Sequence, residues 1–177
     1  MRYCLIQAFM LAGLFAYIGA SSFVMQNEYG LSAMQFSLLF GVNGIGLIVS
    51  ALIFSRLARR HLAEGLMQIG LVLAVTCAGL TLLFAWMQLS VPALIALFFT
   101  VAFNSGISTI AGSEAMSAVD AKESGTASAI LGMLMFLFGG IAAPLAGIGG
   151  ETMLKMSLAV LVSYVIALAI GSRTQNA

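Results

Sequence analysis

Side chains able to do acid–base, nucleophilic or metal chemistry are few in this 177-residue chain. The single histidine, His61, lies in the basic stretch SRLARRH (residues 55–61), and Cys4 and Cys77 each lie inside an apolar run. The sequence contains no HExxH, GxSxG or GK[ST] motif, so the signatures of metalloproteases, serine hydrolases and phosphate-binding loops are missing. We therefore expect that the protein is not an enzyme and that it needs no metal or organic cofactor.

The acidic residues lie between the apolar runs or at their ends. They are Glu28, Glu64, Glu114, Asp120, Glu123 and Glu151. A proton-coupled carrier needs an ionisable group inside the membrane, where the surroundings can shift its pKa. We therefore expect no proton-carrying acid in this chain. Glu114 is the nearest candidate, and a solvated charge at a helix end is the alternative interpretation of that residue.

Uncharged polar residues do lie within the apolar runs. An unpaired amide in hydrocarbon costs several kcal/mol, so these side chains must face other helices or a wet cavity. Asn104 and Ser108 are four residues apart and share one helical face. Hydrogen bonding between helices and the lining of a substrate cavity both remain open as interpretations. The residues are Gln7, Tyr17, Asn43, Asn104, Ser105, Ser108 and Thr109.

Small residues recur at a spacing of four, which predicts closely packed helices. The fifth apolar run also holds Pro144 among several glycines, which predicts a bend or a close contact there. The small pairs are Gly46/Ser50, Ala102/Gly106, Ser108/Gly112, Gly125/Ala129 and Gly139/Ala143.

The composition requires a membrane to house these elements. The chain is 62% hydrophobic and 7% charged with a net charge of +1, whereas soluble domains carry about 25% charged residues. A soluble globular enzyme and a basic nucleic-acid-binding module are both excluded. Crossing the hydrocarbon takes about 20 apolar residues, which predicts one domain (residues 1–177) with six transmembrane helices. The predicted spans are Cys4–Met25, Gln35–Ser55, Leu66–Met87, Pro92–Ser113, Thr126–Leu145 and Met153–Ile170.

The basic residues fix the predicted orientation. With the N-terminus inside, only Lys155 falls on the outer side, and both termini are cytoplasmic, as the excess of basic residues on cytoplasmic loops requires. A cleaved signal peptide is the alternative for the first span, and it would leave five spans and invert this bias. The residues on the cytoplasmic side are Arg2, Arg56, Arg59, Arg60, Lys122 and Arg173.

Two segments resemble a known family. The stretch FAYIGASSFVMQNEYGLSAMQFSLLFGVNGIGLIVSA (residues 15–51) resembles helices seven and eight of major facilitator superfamily drug antiporters. The stretch SGTASAILGMLMFLFGGIAAPLAGIGGE (residues 124–151) resembles helix eleven of the same proteins. The likeness extends over nearly the whole chain and is strongest to the Bcr/CflA bicyclomycin and chloramphenicol-resistance group.

The resemblance implies the C-terminal half, helices seven to twelve, of a twelve-helix drug:proton antiporter. It implies efflux of small apolar drugs or metabolites across a bacterial inner membrane, with the proton gradient as the coupling source. The expected partners are lipid, a drug-like substrate, and an N-terminal six-helix half or a second copy of the chain, with no nucleic acid. The first half and its proton-carrying acid are missing, so a truncated, non-transporting fragment or assembly partner is the alternative.

The resemblance also implies site residues. Helices seven, eight, ten and eleven line the family's cavity, so the polar and aromatic residues in them are substrate-binding candidates: Tyr17, Asn43, Asn104, Ser108 and Phe136. The segment holding Gly139, Ala143, Pro144 and Gly147 resembles the antiporter motif of helix five and is the expected hinge. Arg56, Arg59 and Arg60 resemble the basic cytoplasmic loop after helix two.

Overall fold

The computed structural model describes residues 2–60, 62–120, 122–147, 150 and 152–172. His61, Glu151 and Arg173, which figured in the sequence predictions, lie outside the described residues. Within the described ranges the chain forms six α-helices and no β-strand, which confirms the predicted all-α fold. The helices are α1 (Arg2–Phe23), α2 (Ala33–Ala58), α3 (Ala63–Trp86), α4 (Ser90–Ser117), α5 (Ser124–Gly147) and α6 (Met153–Ser172).

Each of these helices is long and apolar enough to cross a membrane. The predicted span limits fall inside them or within two residues of their ends. A π-helical segment, Val24–Glu28, continues α1, and a capping box starts α2. In that box Gln35 N donates to Ser32 Oγ at 3.2 Å, and Ser32 N donates to Gln35 Oε1 at 2.9 Å. This reciprocal pair satisfies backbone donors that the first turn of a helix leaves free.

The helices form two units of three, α1–α3 and α4–α6, that pack into each other. The second helix of each unit packs along the first helix of the other, so α2 lies on α4 and α5 lies on α1. The third helices, α3 and α6, contact each other and also pack on α4 and α1 respectively. Because successive helices alternate in direction, α1 and α4 run in opposite directions, and the units form an inverted repeat.

Glycines and aromatic rings fit together at equivalent places in the two units. The Phe15 ring of α1 lies on Gly139 of α5, where an added Cβ would come within 2.9 Å of the ring. In the other unit the Phe98 ring of α4 lies on Gly46 of α2, at 2.7 Å from such a Cβ. The close helix contacts predicted from small residues therefore occur at Gly46 and Gly139. The prediction is wrong for Gly125, which has nothing within 4 Å of an added Cβ because it lies on an open face of α5.

The interior is built mainly from α1 and α4. In their most apolar stretches 56% and 50% of the residues are buried, whereas the figure is 17% for both α2 and α5. Helix α1 therefore has the largest buried fraction of the six in its most apolar stretch. The outer faces of α2 and α5 carry exposed large apolar side chains along their length, among them Leu38, Ile45, Leu52, Met133, Leu137 and Ile141.

Charged side chains join helices at both ends of the bundle. At one end Arg2 Nη2 of α1 bonds Glu64 Oε1 of α3 at 2.6 Å. At the other end Glu28 Oε2 accepts a hydrogen bond of 2.6 Å from Met153 N, so a carboxylate lies at the positive N-terminus of α6. Burial, and secondarily the neighbouring Glu28 carboxylate, raises the pKa of Tyr29 to about 12. The Tyr29 hydroxyl is therefore uncharged at physiological pH.

Candidate functional site

Two of the predicted cavity residues meet between α1 and α2. Asn43 Nδ2 donates a hydrogen bond of 2.7 Å to Tyr17 Oη, and both side chains are buried. The Phe40 ring stacks on the Tyr17 ring with centroids 5.9 Å apart and an interplanar angle of 11°. Since α2 packs mainly along α4, this pair is a local link between two helices that are otherwise separate. The link leaves the Asn43 carbonyl oxygen available as an acceptor.

Asn104 lies deeper, where α1, α4 and α6 meet. Its Nδ2 donates to the Met10 carbonyl oxygen and, at 2.9 Å, to Tyr164 Oη. Asn104 and Tyr164 are each 1% exposed. Both amide hydrogens are therefore used within the bundle, and a contact between Asn104 and a substrate stays a prediction.

Ser108 lies one helical turn from Asn104 on the face of α4 that packs against α1. Its hydroxyl is buried and has no hydrogen-bond partner among the described residues. The next turn brings Gly112 beneath the Gln7 amide, where an added Cβ would lie 3.0 Å from Gln7 Oε1. Gln7 Oε1 is likewise buried without a partner in the described chain. The contact between α1 and α4 therefore holds two polar atoms whose hydrogen-bonding capacity is unused.

Phe136, the aromatic cavity candidate on α5, lies at the surface. Its side chain is 68% exposed, and its ring meets the Phe15 ring edge-on with centroids 6.1 Å apart. Phe136 is thus placed on the face of α5 that bears the other exposed apolar residues. Its contact with a substrate also stays a prediction.

The predicted hinge forms part of the contact between α5 and α1. Helix α5 remains helical through Pro144 to Gly147. Gly139 receives the Phe15 ring, and an added Cβ on Gly19 of α1 would lie 3.3 Å from Ala143 Cβ. The small residues of this segment therefore allow α1 and α5 to approach closely. Bending at Pro144 or Gly147 stays a prediction.

The basic residues Arg56, Arg59 and Arg60 lie exposed at the end of α2. Arg59 and Glu114 line a cavity of 320 Å³ between the ends of α2, α3 and α4, together with the hydroxyl residues Ser55, Thr109 and Ser113. Glu114 lies in the last turn of α4. This is the helix-end position that the alternative to a proton-carrying role predicted. Within the described ranges, His, Cys, Asp and Glu form no group of three or more that could bind a metal ion.

Sequence reasoning missed a groove between α2 and α4. The groove consists of two adjoining cavities of 350 and 330 Å³ that share Val42 and Phe98, and it is called the α2–α4 groove below. The larger cavity is also lined by Ser50, Phe54, Phe99 and Phe103. The smaller cavity is also lined by Asn43. The phenylalanines of α4 at 98, 99 and 103 are a visible signal in the sequence. The sequence does not show that these phenylalanines pack against α2, because that contact depends on which helices are neighbours in the fold.

The chain is similar to known proteins over most of its length. The family model described as Major Facilitator Superfamily matches residues 1–172. An uncharacterized MFS-type transporter of Bacillus subtilis, YdgK, is 31% identical over 166 residues, which cover 94% of this chain and 41% of that protein. A bicyclomycin resistance protein homolog of Haemophilus influenzae is 29% identical over 140 residues, which cover 78% of this chain and 35% of that protein. The chain therefore spans well under half the length of these relatives. No solved structure matches it significantly.

Proposed function

Because the chain belongs to the major facilitator superfamily, we propose that it is the C-terminal half of a drug:proton antiporter in a bacterial inner membrane. Membership of a transporter family confirms the prediction that the chain is not an enzyme, and its six apolar helices make it a multi-pass membrane protein. The proposed cargo is a small apolar drug or metabolite. The printed name of the Haemophilus influenzae relative and the bacterial origin of both relatives support this proposal.

One observation carries the proposal of a partner half, namely the exposure of α2 and α5. These two helices are as apolar as the others, yet only 17% of the residues in their most apolar stretches are buried. They flank the central helices α1 and α4, since each packs along one of them. A second six-helix unit seated on α2 and α5 would enclose a cavity in front of α1 and α4. Alternating access would follow from rocking of the two units about this contact.

The proposed partner also supplies the proton-carrying acid. Among the described residues, every carboxylate lies near a helix end or in a connection between helices: Glu28, Glu64, Glu114, Asp120 and Glu123. A carboxylate in the middle of the membrane is what the chemistry of proton coupling requires. We therefore assign the coupling step to the partner half, with this chain contributing substrate contacts and movement.

Within this chain the proposed substrate contacts centre on Tyr17, Asn43 and Phe136. The hydrogen-bonded pair offers one amide oxygen among aromatic side chains, and Phe136 offers an exposed ring on α5. Asn104 and Ser108 support this surface from within the bundle and are the remaining cavity candidates. A mostly apolar cavity with a few polar groups is typical of sites for small apolar molecules.

The proposed movement uses the contact between α1 and α5. Gly139 and Ala143 allow that contact to be close, while Pro144 removes one backbone donor near the end of α5. Together with Gly147 they form the proposed hinge. Arg56, Arg59 and Arg60 are proposed to lie in the cytoplasm, where they hold the end of α2 at the lipid headgroups.

The test joins this chain behind the first six helices of the Haemophilus influenzae relative, in cells that lack their own drug exporters. We expect the chimera to lower the accumulation of radiolabelled chloramphenicol, and a protonophore to abolish that effect. Membrane localisation and a single symmetric size-exclusion peak check that the chimera inserts and folds. The proposal is overturned if cells with the folded chimera accumulate as much chloramphenicol as cells with the empty vector. It is also overturned if the protonophore leaves export intact.

A non-transporting fragment that binds intact carriers is the second candidate, and the same exposed faces of α2 and α5 favour it. In that case the chain expressed alone leaves accumulation unchanged and lowers the export achieved by an intact relative. Export by the chain alone would instead indicate that a second copy serves as the partner half.

A further inference from the structure

The α2–α4 groove has the size of a ligand site. Its two cavities measure 350 and 330 Å³ and adjoin at Val42 and Phe98, which line both. Sites for small molecules occupy about 300–1,000 Å³. Each cavity of the groove is therefore within the size range of a site for a small molecule.

Aromatic rings form much of the groove's wall. The Phe98 ring lies on Gly46, where the missing Cβ lets the ring approach the α2 backbone. Phe98 and Phe99 meet edge-on with centroids 5.3 Å apart, and Phe54 meets Phe103 in the same manner at 6.3 Å. Ring faces and edges of this kind favour a flat aromatic ligand, which gains offset-stacked or edge-on contacts.

Two buried polar groups of α2 line the groove with unused hydrogen-bonding capacity. Ser50 is 8% exposed, and within the described residues its hydroxyl makes no hydrogen bond. The buried hydroxyls of Thr100 and Ser157, by contrast, each donate to the carbonyl four residues earlier. Asn43 is 4% exposed, and its one hydrogen bond in the described chain is the donation to Tyr17, which leaves its carbonyl oxygen free to accept.

The charge of the ligand follows from the lining. None of the residues around either cavity is charged, so nothing would compensate the loss of hydration of a charged ligand. Asn43 and Ser50 are seven residues apart on α2, which places them about 10 Å apart along the helix axis. The groove therefore matches an uncharged molecule with a polar group at each end.

We propose that the α2–α4 groove binds a small uncharged aromatic molecule, which donates a hydrogen bond to the Asn43 carbonyl oxygen and bonds the Ser50 hydroxyl at its other end. Export of that molecule rests on the proposed function, whereas its binding does not. A lipid acyl chain is the competing occupant, and it has no group to pair with Asn43 or Ser50. The two occupants therefore differ in their sensitivity to these side chains.

The test uses the purified full chain in lipid nanodiscs and the fluorescent probe 4-amino-4′-nitrostilbene. This probe is uncharged and flat, with an amine donor at one end and a nitro acceptor at the other. We expect saturable binding beyond that of empty nanodiscs. Its cationic counterpart of similar shape, 4-(4-dimethylaminostyryl)-N-methylpyridinium, should bind at least tenfold more weakly.

Variants locate the probe in the groove. Asn43→Leu and Ser50→Ala should each weaken binding about fivefold, the effect of one lost hydrogen bond. Val49→Phe should abolish saturable binding, because Val49 lines the larger cavity and is exposed enough for the added ring to be accommodated without displacing the core. Thr76→Ala on α3 is the matched control, since the Thr76 hydroxyl bonds only the Val72 carbonyl of its own helix.

The proposal is overturned if the probe partitions without saturation, if its cationic counterpart binds equally, or if binding is indifferent to all three groove variants. The last result would indicate an acyl chain as the occupant. Because the assay needs neither a gradient nor a partner half, its outcome is separate from that of the export test. Binding with no export would count against the proposed function alone, and export with unaltered binding in the groove variants would count against this inference alone.

Discussion

At the scale of single residues, polar side chains inside this bundle fall into two groups. Asn104 has both amide hydrogens paired, one with the Met10 carbonyl and one with Tyr164, so it holds helices together. Ser50 and Ser108 are polar groups without such pairing in the described chain. Sequence reasoning left packing and ligand contact open for these residues. The structure distinguishes them by whether a partner lies within reach.

Replacing Asn104 with leucine should destabilise the chain. The leucine keeps a similar volume but removes both hydrogen bonds, and interhelical hydrogen bonds in membranes are worth about 0.6 kcal/mol on average with a maximum near 1.7. We expect a loss of about 1–2 kcal/mol, measured by thermal unfolding in detergent. Thr76→Ala serves as the control, because that hydroxyl joins no second helix. An unchanged melting temperature for Asn104→Leu would contradict the pairing described here.

Ser108→Ala should change the stability of the chain in the opposite direction to Asn104→Leu. A buried hydroxyl without a partner costs free energy, so its removal should raise the melting temperature or leave it unchanged, with a gain of up to about 1 kcal/mol. Ser157→Ala is the matched variant, since the buried Ser157 hydroxyl donates to the Met153 carbonyl at 2.7 Å, and its loss should lower stability. A lower melting temperature for Ser108→Ala than for Ser157→Ala would indicate that Ser108 is paired after all.

At the scale of helices, the fit of aromatic rings onto glycines determines how closely the helices approach. Gly13 of α1 lies under the Tyr164 ring of α6, just as Gly46 and Gly139 lie under phenylalanine rings. The spacing of small residues in the sequence identified some of these positions. It failed at Gly125, because a small residue permits a close contact but does not create one.

Gly13→Ala should therefore be strongly destabilising. Its Cβ would lie 2.5 Å from Tyr164 Cε1, and Tyr164 cannot move aside because it is buried and bonded to Asn104. Overpacking of this kind costs about 1–3 kcal/mol. Gly125→Ala is the control and should be neutral or stabilising by up to about 1 kcal/mol, since alanine favours the helix and meets open space. Equal unfolding temperatures for the two variants would refute this account of the contact.

At the scale of the whole molecule, the uneven burial of the helices is the main clue to function. Helices α1 and α4 occupy the interior, and α2 and α5 carry apolar faces that this chain leaves uncovered. Lipid can cover such faces, but α2 and α5 are also the helices that flank the proposed cavity. We propose that the partner half covers these two faces, whereas lipid covers the outer faces of α3 and α6.

Two residues of similar exposure test this distinction. Leu52 of α2 is 53% exposed and Val162 of α6 is 50% exposed. Leu52→Gln should lower copurification with a coexpressed N-terminal six-helix half at least fivefold, because a buried amide without a partner disfavours the contact. Val162→Gln should leave copurification unchanged. The same loss from both variants would point to a general defect in membrane insertion and count against α2 as part of the contact.

The sequence by itself determined the helical class and the positions of six apolar helices long enough to cross a membrane, and it predicts the side on which each basic residue falls. These properties depend on length, hydropathy and charge, which act locally on each segment of chain in a membrane. Only the tertiary structure decided that Asn43 pairs with Tyr17, that Asn104 pairs inward with Tyr164, and that Phe98 and Gly46 form a groove. Those contacts depend on α2 packing along α4 while α5 packs along α1. Which helices pack together depends on how side chains fit between helices distant in sequence. The sequence of a single span does not contain that information.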